Sequence, residues 1–311
     1  MSIRSQLLAL SDELRRLKSE GVRSVAVSER SLTALRQAAT YVPPPEKRVS
    51  VSPSPCVSAT DSPESGPARP WSPAGEKRKG SVAPAMVPTL PSPPVVVLPD
   101  ADKRARWMAL RDLVLGDAVC RANVRTGCQV VFGVGSLEAK IFFVGEAPGA
   151  EEEQRGEPFV GPAGQLLNKM IKAMGLNREE VYIGNIMNWR PQLTTAAGRP
   201  QLGNRPPTSE EMAYCLPYIR AQIEIIRPAI LVALGATATK GLLGEGSFRS
   251  IGEVRGRWHS FAGIPLLVTY HPSYLLHNDT KRAKRAAWED LLRVMERAGL
   301  PVSDKQRGFF R

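Results

Sequence analysis

Four short apolar runs punctuate the second half of the chain: Lys140 to Val144, Val181 to Met187, Ala229 to Leu234 and Pro265 to Tyr270. Their near-continuous hydrophobicity fits strands buried on both faces of a sheet rather than strands with one wet face. Between them the period changes to that of a helix, over Gly164 to Met174, Ser209 to Ile226 and Ala236 to Leu243. A last amphipathic stretch, Lys281 to Ala298, places Trp288, Leu291, Leu292 and Met295 on one face. Thr208 and Glu211 have capping-box spacing behind the turn-forming Gly203-Asn204-Arg205-Pro206-Pro207, and Asp102 stands at the start of a helix over Asp102 to Leu115. Alternating strands and helices of this kind predict an α/β, three-layer sandwich with a central four-stranded parallel sheet flanked by helices.

Upstream the pattern fails. Fifteen of the 27 prolines fall between Tyr41 and Asp100, a composition that cannot bury a core and predicts a disordered Pro/Ser-rich linker over 41–100. Residues 1–40 carry Leu7, Leu8, Leu10, Leu14 and Leu17 on a helical stripe, with a second short helix over Ser31 to Ala39. That segment suits either a docking helix for a protein partner or a frayed amphipathic tail. The folded domain is therefore expected over 101–311, where 29 basic groups face 21 acidic ones. Such an excess attracts polyanions, nucleic acid among them. Asp12 and Glu13 interrupt the one N-terminal stretch that could imitate a signal peptide, and no run is long enough to span a bilayer. The expectation is a cytoplasmic protein with no membrane partner. Cys56, Cys120, Cys128 and Cys215 lack the paired spacing of a secreted disulfide scaffold.

The candidate chemistry gathers at one kind of position. Gly145-Glu146-Ala147-Pro148-Gly149, Asn185 to Pro191, Gly235-Ala236-Thr237 and His271-Pro272-Ser273 each follow the carboxyl end of a strand, the edge where open α/β sheets bind ligands. Gly145, Ala147 and Gly149 are small enough for backbone to approach a ligand, and Phe159 is an aromatic on a loop, suited to stacking. Asn185 offers donors and an acceptor for a planar edge that carries both a carbonyl and an N–H. His271, one of three histidines, can donate to a developing anion or act as acid or base. Within Glu151-Glu152-Glu153, one carboxylate could hold a water. Leu275 and Leu276 suit either a wedge into a base stack or burial under the last helix. Lys281, Arg282, Lys284 and Arg285 suit phosphate contacts or plain solubility. Leu234-Gly235-Ala236-Thr237 lacks the lysine and glycine spacing of a phosphate-binding P-loop.

Taken in order, Gly145 to Gly149, Pro158-Phe159-Val160-Gly161-x-Ala163-Gly164-Gln165-Leu166-Leu167, Asn185, Arg190-Pro191, Gly203-Asn204-Arg205-x-Pro207 and His271-Pro272-Ser273 resemble the family 4 uracil-DNA glycosylases. The similarity runs from about Val130 to about Gly299. It implies hydrolysis of the N-glycosidic bond of deoxyuridine in DNA by base flipping, the opening step of base excision repair, by a monofunctional and monomeric enzyme. It further implies that Phe159 stacks on the flipped uracil, that Asn185 reads its amide-like edge and rejects cytosine, and that His271 donates to the departing base. Gly145, Ala147, Pro148, Gly149 and Ser273 would line the substrate, with Leu275 or Leu276 as the wedge into DNA. Ala147 occupies the position where family 1 enzymes carry an aspartate. Glu152 is therefore the candidate for positioning water, with Glu146, near the base, the second choice, for shaping the pocket against thymine's methyl. The other class of function compatible with the chain is a DNA-binding or recruiting protein on a glycosylase scaffold with a dead site.

One part of the family pattern is missing. Family 4 enzymes usually hold a four-iron, four-sulfur cluster through a Cys-x-x-Cys pair, a cysteine just after the recognition asparagine and one in the following helix. Here those positions read Asp117, Cys120, Trp189 and Cys215, with Cys128 as a stray. About four thiolates are needed to hold such a cluster, so no cofactor is expected. A cluster on Cys120, Cys128, Cys215 and Asp117 is the minority alternative.

Overall fold

The structure, a computed structural model, describes residues 90–193, 201 and 203–310. The helical segments read over 1–40 and most of the linker read over 41–100 lie outside the described residues.

Ile141–Gly145 (β2), Tyr182–Asn185 (β3), Ile230–Leu234 (β4) and Ile264–Thr269 (β6) form the parallel centre of the sheet, in the spatial order β3-β2-β4-β6. Alternate residues point to opposite faces, and each face has its own core. Phe142, Val144, Leu231, Ala233, Leu266 and Val268 pack on one side. Ile141, Phe143, Ile183, Val232 and Leu267 pack on the other. Lys103–Gly116 (α1), Ser209–Ile226 (α5) and Gly235–Leu243 (α6) cover the first face, and Pro162–Ala173 (α4) and Lys281–Arg297 (α9) the second. The three-layer sandwich is the one the periodicity predicts.

Among the described residues the sheet has six strands, not four. Val134–Gly135 (β1) pairs antiparallel with β3 at one edge, and Trp258–Phe261 (β5) pairs antiparallel with β6 at the other. Both are short edge strands, too brief for a period of two to stand out. The expected start of the domain at 101 is also too late: Leu90, Val96 and Leu98 pack against the first core, so the linker ends before Asp100.

Local signals act as expected. Asp102 Oδ1 accepts the Ala105 N–H at 2.8 Å and caps α1. At α5, Thr208 Oγ1 accepts from Glu211 N at 3.2 Å while Glu211 accepts from Thr208 N at 2.7 Å, and Arg205 grips the same carboxylate at 2.6 and 2.7 Å. Among the described residues there are also five short α-helices: Ala118–Ala122 (α2), Ala150–Arg155 (α3), Ile251–Val254 (α7), Pro272–His277 (α8) and Asp304–Arg307 (α10). Among them α3 and α8 lie where the sequence pattern predicts no helix.

Candidate active site

The four parallel strands all end at the same edge, and their loops enclose a cleft of about 650 Å³, within the ordinary range for a small-ligand site. Register explains the proximity of the first two loops. Gly145 and Asn185 are partners across β2 and β3, and the pairing continues through Ile186 N to Gly145 O at 3.0 Å and Met187 N to Glu146 O at 3.0 Å. A Cβ on Gly145 would reach the Asn185 side chain and come within 2.5 Å of the Phe159 ring. Glycine is required there because the amide and the aromatic both close over the backbone.

Phe159 is buried in the cleft wall with φ of +53°, a left-handed conformation that costs a bulky residue about 1–3 kcal/mol. Two side chains hold it there, and sequence reasoning missed both roles. Arg178 donates through Nη1 to Phe159 O at 3.2 Å and to Asn168 Oδ1 at 3.0 Å, and through Nη2 to Pro158 O at 2.6 Å and Glu157 at 3.1 Å. Glu152, 9% exposed, accepts from Val160 N at 3.0 Å, Gly161 N at 2.8 Å and Gly149 N at 3.2 Å. These bonds correct the assignment of Glu152 to the water. Both of its oxygens are committed to backbone amides that join the first loop to the Phe159 loop, so its role is that of a clamp.

Asn185 is buried, yet its Oδ1 has no hydrogen-bond partner. A buried orphan acceptor is costly unless something external supplies a donor. Opposite stands His271, its ring centroid 5.6 Å from that of Phe159 at an interplanar angle of 34°. Desolvation pushes the His271 pKa down to about 4, so the ring is neutral near pH 7. Its tautomer follows from Ser273, whose backbone N–H can only donate and reaches Nδ1 at 3.2 Å, while the Ser273 hydroxyl lies 2.7 Å from the same atom. With Nδ1 accepting, the ring proton sits on Nε2. Ser273 thus orients the histidine. Gly235, at φ of +87°, gives the ring room: a Cβ there would lie 2.8 Å from His271 Cβ.

Glu146 lines the cleft beside Ala147 and Thr237. Burial pushes its carboxyl above the usual carboxylate range, partly offset by a hydrogen bond from Thr237. Gly149 also lines the cleft, whereas Pro148 is buried outside the lining, which removes it from the expected substrate contacts. The far wall is Gly203-Asn204-Arg205, anchored by the buried Arg190, which donates to Asn204 Oδ1 at 2.7 Å and Gly203 O at 2.6 Å. Behind it Glu153 is fully buried. Burial would raise its pKa, but Arg125 at 2.7 Å and Arg190 at 3.6 Å hold it below the usual range. Glu153 is a structural ion-pair partner, while Glu151 is exposed at the rim.

The two leucines separate. Leu275, 4% exposed, packs with Ala283, Ala287, Leu166 and Met170, because α8 turns it inward; it cannot serve as a wedge. Leu276 is 44% exposed at the cleft mouth. Of the basic residues that follow, Lys284 pairs with Asp279 and Arg285 with Glu289 at 2.8 Å, while Lys281 and Arg282 are exposed.

The positions that would carry an iron–sulfur cluster do not fit one. Asp117 Oδ1 caps α2 through Cys120 N at 2.7 Å, and its Oδ2 accepts from Tyr214 at 3.0 Å and Tyr218 at 2.9 Å. Trp189 is fully buried, its ring 6.1 Å from that of Tyr214. Cys120 and Cys215 are buried neighbours, and the Cys215 thiol together with burial pushes the Cys120 thiol up. Cys128 is half-buried beside Glu153 and Arg125. Among the described residues no group of three or more His, Cys, Asp or Glu is arranged to hold a metal ion.

Comparison with known proteins points one way. The family model described as "Uracil DNA glycosylase superfamily" matches residues 132–292. A type-4 uracil-DNA glycosylase of Thermotoga maritima is 44% identical over 166 residues, covering 52% of this chain and 80% of the relative. One from Saccharolobus solfataricus is 40% identical over 175 residues, covering 54% and 76%. A type-5 uracil-DNA glycosylase of Pyrobaculum aerophilum is 30% identical over 168 residues, covering 53% and 73%.

Proposed function

Since this chain belongs to the uracil-DNA glycosylase superfamily, within its type-4 branch, we infer that it is a DNA N-glycosylase that hydrolyses the bond between uracil and deoxyribose. The observation that carries this reading is one cleft that combines an aromatic wall, an orphaned amide acceptor and a neutral imidazole donor. The base must leave the stack to reach it, at a cost of a few kcal/mol. Once there, Phe159 stacks on its face. Asn185 Oδ1 accepts the imide N–H of uracil and the side-chain NH2 donates to the adjacent carbonyl. Cytosine presents an acceptor and an amino donor at those same places, so it would leave both groups of Asn185 opposed to groups of the same kind.

In the reaction the bond from the sugar's anomeric carbon to the base nitrogen breaks, its electron pair leaves with the base, and water oxygen bonds to that carbon. Charge gathers on the uracil oxygen nearest the broken bond. There the His271 Nε2–H donates a hydrogen bond, a type of preorganised stabilisation worth about 2.7–4 kcal/mol in other enzymes. A neutral donor suits this role because it is neither titrated nor spent at pH 7. With Glu152 committed to backbone, Glu146 is the carboxylate we assign to the water. Its raised pKa makes it a better proton acceptor than an exposed glutamate. Leu276 is the side chain we assign to filling the gap left in the DNA.

The protein works, on this reading, without an iron–sulfur cluster, because Asp117 and Trp189 stand in hydrogen-bonded and packed roles where thiolates would be needed. Its partner, on this reading, is uracil-containing DNA. An oligonucleotide with one uracil, treated with the protein and then alkali, tests the activity: scission at uracil and none at cytosine or thymine is expected, and an intact strand at high enzyme concentration would sink the proposal. Purified protein should be colourless, and broad visible absorption with stoichiometric iron would overturn the cofactor reading.

A further inference from the structure

Beside the cleft, four side chains form a column that the chemistry above leaves unused. At its base Asp290, 1% exposed, accepts from Arg255 Nε at 3.2 Å and Nη2 at 2.8 Å and from the Thr269 hydroxyl at 2.8 Å. Arg255 also donates to Ala286 O at 2.6 Å. So fixed, its guanidinium carbon lies 5.1 Å from the centroid of the Tyr270 ring. Tyr270 in turn stacks on Tyr274, centroids 4.6 Å apart at 27°. Although Tyr270 covers one side of it, Tyr274 is 42% exposed.

Position gives the exposed ring its meaning. Tyr274 belongs to α8, which also brings Ser273, Leu276 and His277 to the cleft wall. Its N–H donates to His271 O at 2.9 Å and its carbonyl accepts from Asn278 N at 2.8 Å, so the backbone beneath the ring is tied to the histidine. We propose that Tyr274 is a stacking platform for a nucleobase of the substrate DNA, the immediate neighbour of the nucleotide drawn into the cleft. Flipping one nucleotide strips its neighbour of a stacking partner. An aromatic at the rim can replace that partner, and because every base has a π-face the contact tolerates any sequence around the uracil. The column makes the ring rigid beforehand, so little side-chain freedom is lost on binding. Leu276, being aliphatic, can fill a gap but offers no π-face.

The inference rests on the glycosylase reading, and the test separates the two. The full chain is titrated into oligonucleotides in which 2′-fluoro-2′-deoxyuridine, resistant to hydrolysis, is flanked on one side or the other by 2-aminopurine, bright when unstacked and quenched when stacked. Wild type should quench one of the two probes, and Tyr274→Phe and Tyr274→Trp should keep both the quench and the affinity. Tyr274→Ala and Tyr274→Leu should leave the probe bright and bind roughly tenfold more weakly. The leucine variant retains an apolar cover over Tyr270 and serves if the alanine variant does not fold. Equal affinity and equal fluorescence for wild type and Tyr274→Leu would overturn the platform. Cleavage of an ordinary uracil oligonucleotide by wild type is measured alongside. Failure there sinks the glycosylase reading and the platform with it, whereas cleavage beside an unaltered leucine variant sinks the platform alone.

Discussion

His271 and Glu152 illustrate how neighbours decide what a side chain does. The folded-state pKa of His271, about 4, lies below the 6.5 of a free imidazole, so between these values the unfolded chain binds the proton and the folded one does not. The stabilisation is therefore complete above pH 6.5 and is lost as pH falls toward 4, about 3 kcal/mol at most. Two outcomes are expected. Activity should not lose a histidine limb between pH 8 and 6, and an NMR titration of the His271 ring should have its midpoint near 4; a midpoint near 6.5 would show the ring to be solvated and the donor argument wrong. Glu152 presents the reverse case, a carboxylate that looks catalytic by position and is occupied by three backbone amides. Glu152→Ala should cost about 3 kcal/mol in urea unfolding, since bonds to a charged acceptor are among the stronger ones. Its activity should fall with unchanged shape of the pH profile, because the Phe159 loop is loosened rather than a base removed. Loss of the acidic limb would instead return Glu152 to the water.

At the scale of elements, the joint between α4 and the Phe159 loop offers a test whose sign distinguishes propensity from packing. Gly164 lies within the first turn of α4, where replacing glycine with alanine ordinarily favours the helix by up to about 1 kcal/mol. Here the added Cβ would overlap the Phe159 carbonyl, a backbone group that cannot swing aside. Gly164→Ala should therefore destabilise, by about 3 kcal/mol on the scale of overpacked sites, and weaken uracil binding through Phe159. A rise in Tm would mean that the loop gives way easily. The same joint marks the boundary of what the sequence discloses. The four central strands were legible because residues such as Phe142 and Phe143 are buried on opposite faces, which leaves an uninterrupted apolar run. The edge strands were not, since Val134–Gly135 has two residues and Trp258–Phe261 mixes exposed and buried positions. Helices α3 and α8 are six residues each, under two turns, too short for a period to declare itself. Hence Leu275 and Leu276 read alike in a presumed loop, although the helix turns one in and the other out. Asn185 and His271 could be singled out because each sits at or just after a strand end, and Phe159 because it is an aromatic on a loop. The clamps on the Phe159 loop could not be, because there Glu152 and Arg178 act on backbone 8 to 20 residues away, and only the folded chain brings those groups together.

For the molecule as a whole, the question is what holds together the region between α1, α2 and α5 that a cluster would otherwise cross-link. Asp117 receives two tyrosine hydroxyls from α5 and an amide from α2, and Trp189 fills the interior beside Tyr214. If those contacts carry the load, stability should be independent of iron. A ligand that binds only the folded state at 1,000 times its Kd adds about 4.1 kcal/mol, so stripping a resident cluster would lower Tm visibly. Incubation with a reductant and an iron chelator should here leave Tm unchanged. Trp189→Ala, by contrast, should cost about 3–5 kcal/mol, the ordinary price of emptying a large aromatic from a core. Cys120→Ser and Cys215→Ser should lie well below that, since each exchanges one small side chain without opening a cavity of tryptophan size. The opposite ranking, with both serine variants and the chelator more damaging than Trp189→Ala, would mean that the thiols hold a metal group after all. In the expected case, the acid and the indole have taken over the cross-link between helices, and the cleft beside them, lined by Arg190 and Pro191, keeps its geometry without a cofactor.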